Sequence, residues 1–105
     1  MSGGARPIAL RGAMTAIVTP FRQDGGVDVP ALERLVSWQI ESGIHGLVPC
    51  GTTGEGATLR PDEHALVIAT AVRVARGRVP IVAGCGTNDT RTTIEGAKRA
   101  AEAGA

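Results

Sequence analysis

Two adjacent threonines between glycines, in the run Gly51-Thr52-Thr53-Gly54-Glu55-Gly56, are the residues of this chain best suited to chemistry. The glycines let the backbone turn so that successive N–H groups converge on one point. Such a nest holds an anion, either a carboxylate or a phosphate. The two hydroxyls add donor and acceptor capacity that can hand on a proton. The same run also describes a Gly-rich turn whose threonines satisfy local backbone, and residue types alone do not choose between the two. By residue type alone Glu55 could be read as a general base.

Three apolar runs, residues 13–18, 46–49 and 79–83, open on Ala13, Gly46 and Val79 at intervals of 33 residues. They lack strict alternation, as expected of strands covered on both faces in a parallel sheet. Helical segments lie between them. The first is expected to open at Asp28 as N-cap, with Pro30 in the first turn. It carries Leu32, Leu35, Val36 and Ile40 on one face and ends at Gly43. The second spans about residues 61–76, offers Leu66, Ile68, Val72 and Ala75 to the core, and ends at Gly77. The third starts near Asp89 or Thr90, carries Ile94, Ala97 and Ala101, and stops at Gly104. The order βαβαβα implies a parallel sheet with right-handed crossovers, a grammar shared by the eight-fold barrel and the doubly wound sheet. In both, chemistry sits at the carboxyl ends of the strands. Here those ends read Thr19-Pro20-Phe21, the threonine run, and Gly84-Cys85-Gly86-Thr87-Asn88.

Composition narrows the function classes. With 43% hydrophobic residues, 20% charged and a formal net charge of +1, the 105-residue chain has material for one core and no electrostatic footprint for nucleic acid. One Phe, one Trp and no Tyr leave too few aromatics for base stacking. No stretch approaches the roughly 18 apolar residues of a membrane span, and residues 1–7 carry no apolar leader segment. Cys50 and Cys85 make no disulfide framework and fit a reducing cytoplasm. His45, His64, Cys50 and Cys85 lack the spacing of a zinc site, so buried apolar-like cysteines are expected and His64 reads as a first-turn helix residue beside Asp62 and Glu63. No metal or other cofactor is expected. The run from Gly84 begins like a dinucleotide fingerprint but puts Asp89 at the third glycine position, where an acid would face the pyrophosphate.

Three segments together, Thr15-Ala16-Ile17-Val18-Thr19-Pro20-Phe21, Gly51-Thr52-Thr53-Gly54-Glu55 and Ala83-Gly84-Cys85-Gly86-Thr87-Asn88, resemble the dihydrodipicolinate synthase / N-acetylneuraminate lyase family of class I aldolase barrels. The match covers about residues 11–105, with all three motifs in order. Adjacent threonines look more like the synthase branch than the lyases, which usually place serine first. The resemblance implies an α/β fold made of the first three βα units of a (β/α)8 TIM barrel, truncated. A flexible tail is expected over residues 1–10 and the partial barrel domain over 11–105. It also implies a mechanism in which pyruvate forms a Schiff base with a lysine and the derived enamine attacks an aldehyde. In the synthase branch that aldehyde is aspartate semialdehyde, and the product feeds diaminopimelate and lysine biosynthesis. Carried onto this chain, the Thr52 and Thr53 N–H groups would bind the pyruvate carboxylate, and the Thr52 hydroxyl would link two tyrosines in a proton relay. The resemblance also makes Glu55 a structural acceptor for loop backbone rather than a general base. A homo-oligomer is expected at full length.

The departures are as informative. The chain has no tyrosine. Its one lysine, Lys98, lies in the third helix, where Lys98/Glu102 and Glu95/Arg99 at i,i+4 look like surface charges. A Schiff-base lysine must stand inside the barrel, so this chain is expected to lack it. Where some synthases bind inhibitory lysine, His64 and Asn88 match. Pro61 and Thr92 replace an imidazole and a carboxylate, which leaves no carboxylate for an ammonium group. A complete barrel needs about 250 residues, and the chain stops at Gly104-Ala105, where a fourth strand would begin. A longer polypeptide is therefore expected.

Overall fold

The computed structural model describes residues 9–105, so the tail expected over residues 1–10 falls almost wholly outside the described part. Strand β1 (Met14–Ala16) and strand β2 (Gly46–Val48) pair in parallel, Met14 against Gly46 and Ala16 against Val48. The third apolar run joins the far side of β2. Ile81 bridges Leu47 in parallel, and the Leu47 N–H donates to the Pro80 carbonyl while Val82 and Gly84 donate to Leu47 and Pro49. It falls short of the expected strand over 79–83. Pro80 has no N–H to give to a ladder, and no strand borders the run on its other side among the described residues. The spatial order is therefore the chain order.

Helix α1 (Val29–Glu41) begins where the sequence places it. The Asp28 carboxylate accepts the Ala31 N–H at 3.1 Å, and Pro30 occupies the first turn. Gly43, at φ +100°, turns the chain out of the helix in a conformation that a Cβ would strain. Helix α2 (Pro61–Ala75) has Pro61 at its first position and the Glu63 carboxylate reaching back to the Arg60 N–H at 2.9 Å. Its left-handed terminal residue is Arg76, one position before the expected Gly77. Helix α3 (Thr90–Glu102) is capped by Asp89, whose carboxylate accepts the Thr92 N–H, and it ends before Gly104 at φ +103°.

The core lies between the sheet and α1 and α2. Leu32 and Val36 of α1, Leu47 of β2, and Val67, Ile68 and Ala71 of α2 are all buried with Ile17. Burying each of the larger aliphatic side chains is worth about 2 kcal/mol. Two expectations fail here. Leu66 is 43% exposed, because the inward face of α2 runs through His64, Val67, Ile68 and Ala71. Ile94, Ala97 and Ala101 of α3 are exposed as well, while Gly96 and Ala100 are buried. Small residues allow α3 to lie close, leaving its apolar stripe uncovered among the described residues. The strands are not covered on both faces either: Val18 is 53% and Val82 37% exposed, because nothing among the described residues stands opposite the helices.

Candidate functional site

The carboxyl ends of β1, β2 and the third run converge, and the threonine loop occupies the middle place. Two residues with left-handed backbone bracket it, Cys50 at φ 61° and Glu55 at φ 59°. Neither is glycine, so each conformation costs about 1 kcal/mol or more and persists only because its surroundings impose it. Inside the bracket the Glu55 N–H donates to the Thr52 carbonyl and the Gly56 N–H to the Gly51 carbonyl, both at 3.0 Å. These bonds close the turn. The Thr52 and Thr53 amides and hydroxyls take no partner among the described residues, and both residues are exposed. The threonines that do satisfy local backbone are others: Thr58 donates to the Glu55 carbonyl and Thr70 to the Leu66 carbonyl. Thr52 and Thr53 thus stand open, with donors available to a ligand.

Glu55 corrects an expectation. Its side chain is exposed and accepts no loop bond among the described residues; its main-chain carbonyl accepts the Thr58 N–H and hydroxyl instead. The loop is held from behind by Thr19, which lies past the end of β1 and is only 5% exposed. Its hydroxyl donates to the Gly54 carbonyl at 2.7 Å. Sequence reasoning included Thr19 in a motif but assigned it no task.

On the other flank His64 lies in the first turn of α2 beside Asp62 and Glu63, as expected, and is buried. Its Nε2 lies 2.7 Å from the Gly84 carbonyl, so the ring donates there, and Nδ1 is buried without a partner among the described residues. Cys50 is buried and Cys85 half-buried, so the expectation of two buried cysteines holds only for the first. Burial pushes the Cys50 thiol up to about 12, with a smaller contribution from Cys85 nearby. Burial also raises Cys85, partly offset by the Arg99 guanidinium. No cluster of metal-binding side chains occurs among the described residues. No helix there is long and apolar enough to cross a membrane.

Asp89 serves as the cap of α3, hydrogen-bonded to Thr92, and these bonds lower its pKa. Lys98 is exposed on α3. Lys98, Glu102 and Glu95 are exposed, as expected of surface charges, while Arg99 is half-buried. Among the described residues an ion pair, Arg73–Glu33, joins α2 to α1 at 2.8 Å.

Comparison with known proteins agrees with this geometry. Residues 9–105 match the model of the dihydrodipicolinate synthetase family. The chain is 57% identical over 94 residues to a 4-hydroxy-tetrahydrodipicolinate synthase of Nitratidesulfovibrio vulgaris, covering 90% of this chain and 32% of that protein. It is 61% identical over 92 residues to the synthase of Koribacter versatilis, covering 88% and 31%. Among solved structures, the chloride-inhibited dihydrodipicolinate synthase of Acinetobacter baumannii, complexed with pyruvate, superposes with a TM-score of 0.89 at 50% identity. That alignment covers 92% of this chain and 33% of that one. The chain spans about a third of the length of the relatives it matches, and its parallel strands align with the N-terminal third of their barrels. With its strand order, its threonine loop and its matched residues in agreement, the chain belongs to the dihydrodipicolinate synthetase family.

Proposed function

We propose that this chain is the N-terminal part of a cytoplasmic, homo-oligomeric, pyruvate-dependent lyase that condenses pyruvate with L-aspartate 4-semialdehyde, in diaminopimelate and lysine biosynthesis. The observation that carries the reading is the open Thr52-Thr53 pair: two unpartnered amides on a strained, buttressed loop at the carboxyl end of β2. Relatives named as this synthase, 57% and 61% identical over the same residues, support it. In the proposed reaction the Thr52 and Thr53 N–H groups hold the carboxylate of pyruvate. A lysine from the rest of the barrel adds to the ketone, and the carbinolamine loses water to give the imine. That step moves protons on and off oxygen and nitrogen, and the Thr52 hydroxyl relays them without a free charge entering the site. Loss of a proton from the methyl carbon turns the imine into the enamine, whose carbon attacks the aldehyde carbon while the aldehyde oxygen takes up a proton.

The lysine and the tyrosines of the relay are contributed from beyond residue 105, since the chain's single lysine is on an outer helix. The test is to follow the coding sequence past codon 105, express the whole reading frame and assay it with pyruvate and aspartate semialdehyde. An in-frame lysine on a later strand with turnover of this pair supports the reading. Turnover of pyruvate with a different aldehyde alone would replace the substrate assignment. A stop at codon 106 with pyruvate binding and no turnover would make the chain a carboxylate-binding module instead.

A further inference from the structure

Thr19 joins the end of the first strand to the loop that follows the second. Its hydroxyl bond to the Gly54 carbonyl, 2.7 Å long and buried, links residues 35 apart in sequence. Gly54 directly follows the threonine pair. A Cβ there would stand 2.9 Å from the Ile17 carbonyl and 3.3 Å from Thr19 Oγ1, so the loop rests against the β1 end by contact as well as by the bond. The loop's internal bonds use the Thr52 and Gly51 carbonyls and leave the Gly54 carbonyl to be satisfied from outside. Gly54 is itself buried, and a buried carbonyl without a donor is costly. Thr19 supplies that donor.

We infer that Thr19 is a positioning residue: by holding the Gly54 carbonyl it fixes the peptide planes that present the Thr52 and Thr53 amides, and so sets the affinity of the loop for the carboxylate of a small 2-oxo acid. The inference rests on the carboxylate-binding role proposed above. Thr19 touches no substrate and acts only through the loop. Removing its hydroxyl leaves the strand end packed but frees the loop to swing, because the shape of valine matches threonine while its donor capacity does not. Serine keeps the donor and loses only a methyl group.

The test is amide exchange and pyruvate titration, both read by NMR on the complete reading frame and on its Thr19→Val and Thr19→Ser variants. In Thr19→Val, exchange at the Glu55 and Gly56 amides should rise about tenfold while β2 and the buried face of α2 keep their protection. The pyruvate concentration that half-saturates the shifts of Thr52 and Thr53 should rise about tenfold as well, and Thr19→Ser should return both readouts to within about threefold of wild type. Loop exchange and pyruvate affinity unchanged in Thr19→Val would overturn the inference. So would a uniform loss of protection across the chain that serine does not rescue, which would make Thr19 a general stabiliser of the fold. If pyruvate shifts nothing in the wild-type chain while Glu55 and Gly56 still loosen in Thr19→Val, the carboxylate role fails and the positioning of the loop stands.

Discussion

The His64 imidazole, in the first turn of α2, donates from Nε2 to the Gly84 carbonyl at 2.7 Å, tying that helix to the end of the third apolar run. The Gly84 N–H meanwhile donates to the Pro49 carbonyl at 2.8 Å, so one residue joins β2, the third run and α2. Replacing His64 with Phe keeps a buried ring and deletes the donor. The expected cost is about 1–3 kcal/mol, from the carbonyl left unsatisfied. His64→Gln, whose amide still donates, should recover part of it. Denaturant midpoints of the three proteins check this; equal midpoints would show that the Gly84 carbonyl finds another donor.

The two thiols should separate chemically. Burial and the neighbouring Cys85 raise the Cys50 thiol to about 12, and it is 4% exposed, so at pH 8 it presents almost no thiolate and little access. Iodoacetamide should therefore label Cys85 first and Cys50 only after unfolding, as read by peptide mass mapping. The same shift carries a sign for stability. The folded state holds the Cys50 proton more tightly than the unfolded chain, so its contribution is complete below the ordinary thiol value of 9.0. It is lost as pH rises from there towards about 12. A Cys50→Ala variant should lose less stability than wild type across that alkaline window.

Thr52→Val in the complete reading frame should lower turnover roughly 10²–10⁴-fold, the scale for losing a positioned proton-transfer group. The backbone amides survive the substitution, so KM for pyruvate should move far less than kcat. Steady-state kinetics distinguish the two. Turnover near wild type would remove the Thr52 hydroxyl from the relay.

Borohydride reduction with pyruvate should leave the 105-residue chain unmodified, because Lys98 is exposed on the outer helix α3 and a Schiff-base lysine must stand inside the barrel. Intact-mass measurement reads the result directly. A stoichiometric pyruvyl adduct on Lys98 would contradict both the placement of that lysine and the need for one from elsewhere.

Local chemistry made much of the fold legible. Asp28, Pro30 and Gly43 mark the two ends of α1 because caps and left-handed stops act within a few residues. The turn that carries the threonine pair was equally visible, since it needs only glycines at fixed places. Other features depended on distant partners. The stripe Ile94, Ala97 and Ala101 looks inward on any count of apolar residues, yet α3 meets the rest of the chain through Gly96 and Ala100, whose smallness carries no hydrophobic signal. His64 was legible as a first-turn helix residue beside two acids, but nothing local shows that its ring meets a carbonyl 20 residues away. The task of Thr19 was hidden for the same reason: its acceptor lies 35 residues on, and only the folded sheet brings them together.

The nearly constant spacing of the sheet bears on how such a chain assembles as it is made. Met14 pairs with Gly46 and Leu47 with Ile81, so each new strand closes a loop of similar length onto the strand synthesised just before it. Loop-closure entropy grows only slowly with loop length, so successive additions meet nearly equal entropic penalties. Among the described residues no pairing waits for a distant segment; only closure of a full barrel, first strand against last, would have to. A nascent chain can therefore add one βα unit at a time as it leaves the ribosome, with each docked helix covering its strand before the next is complete.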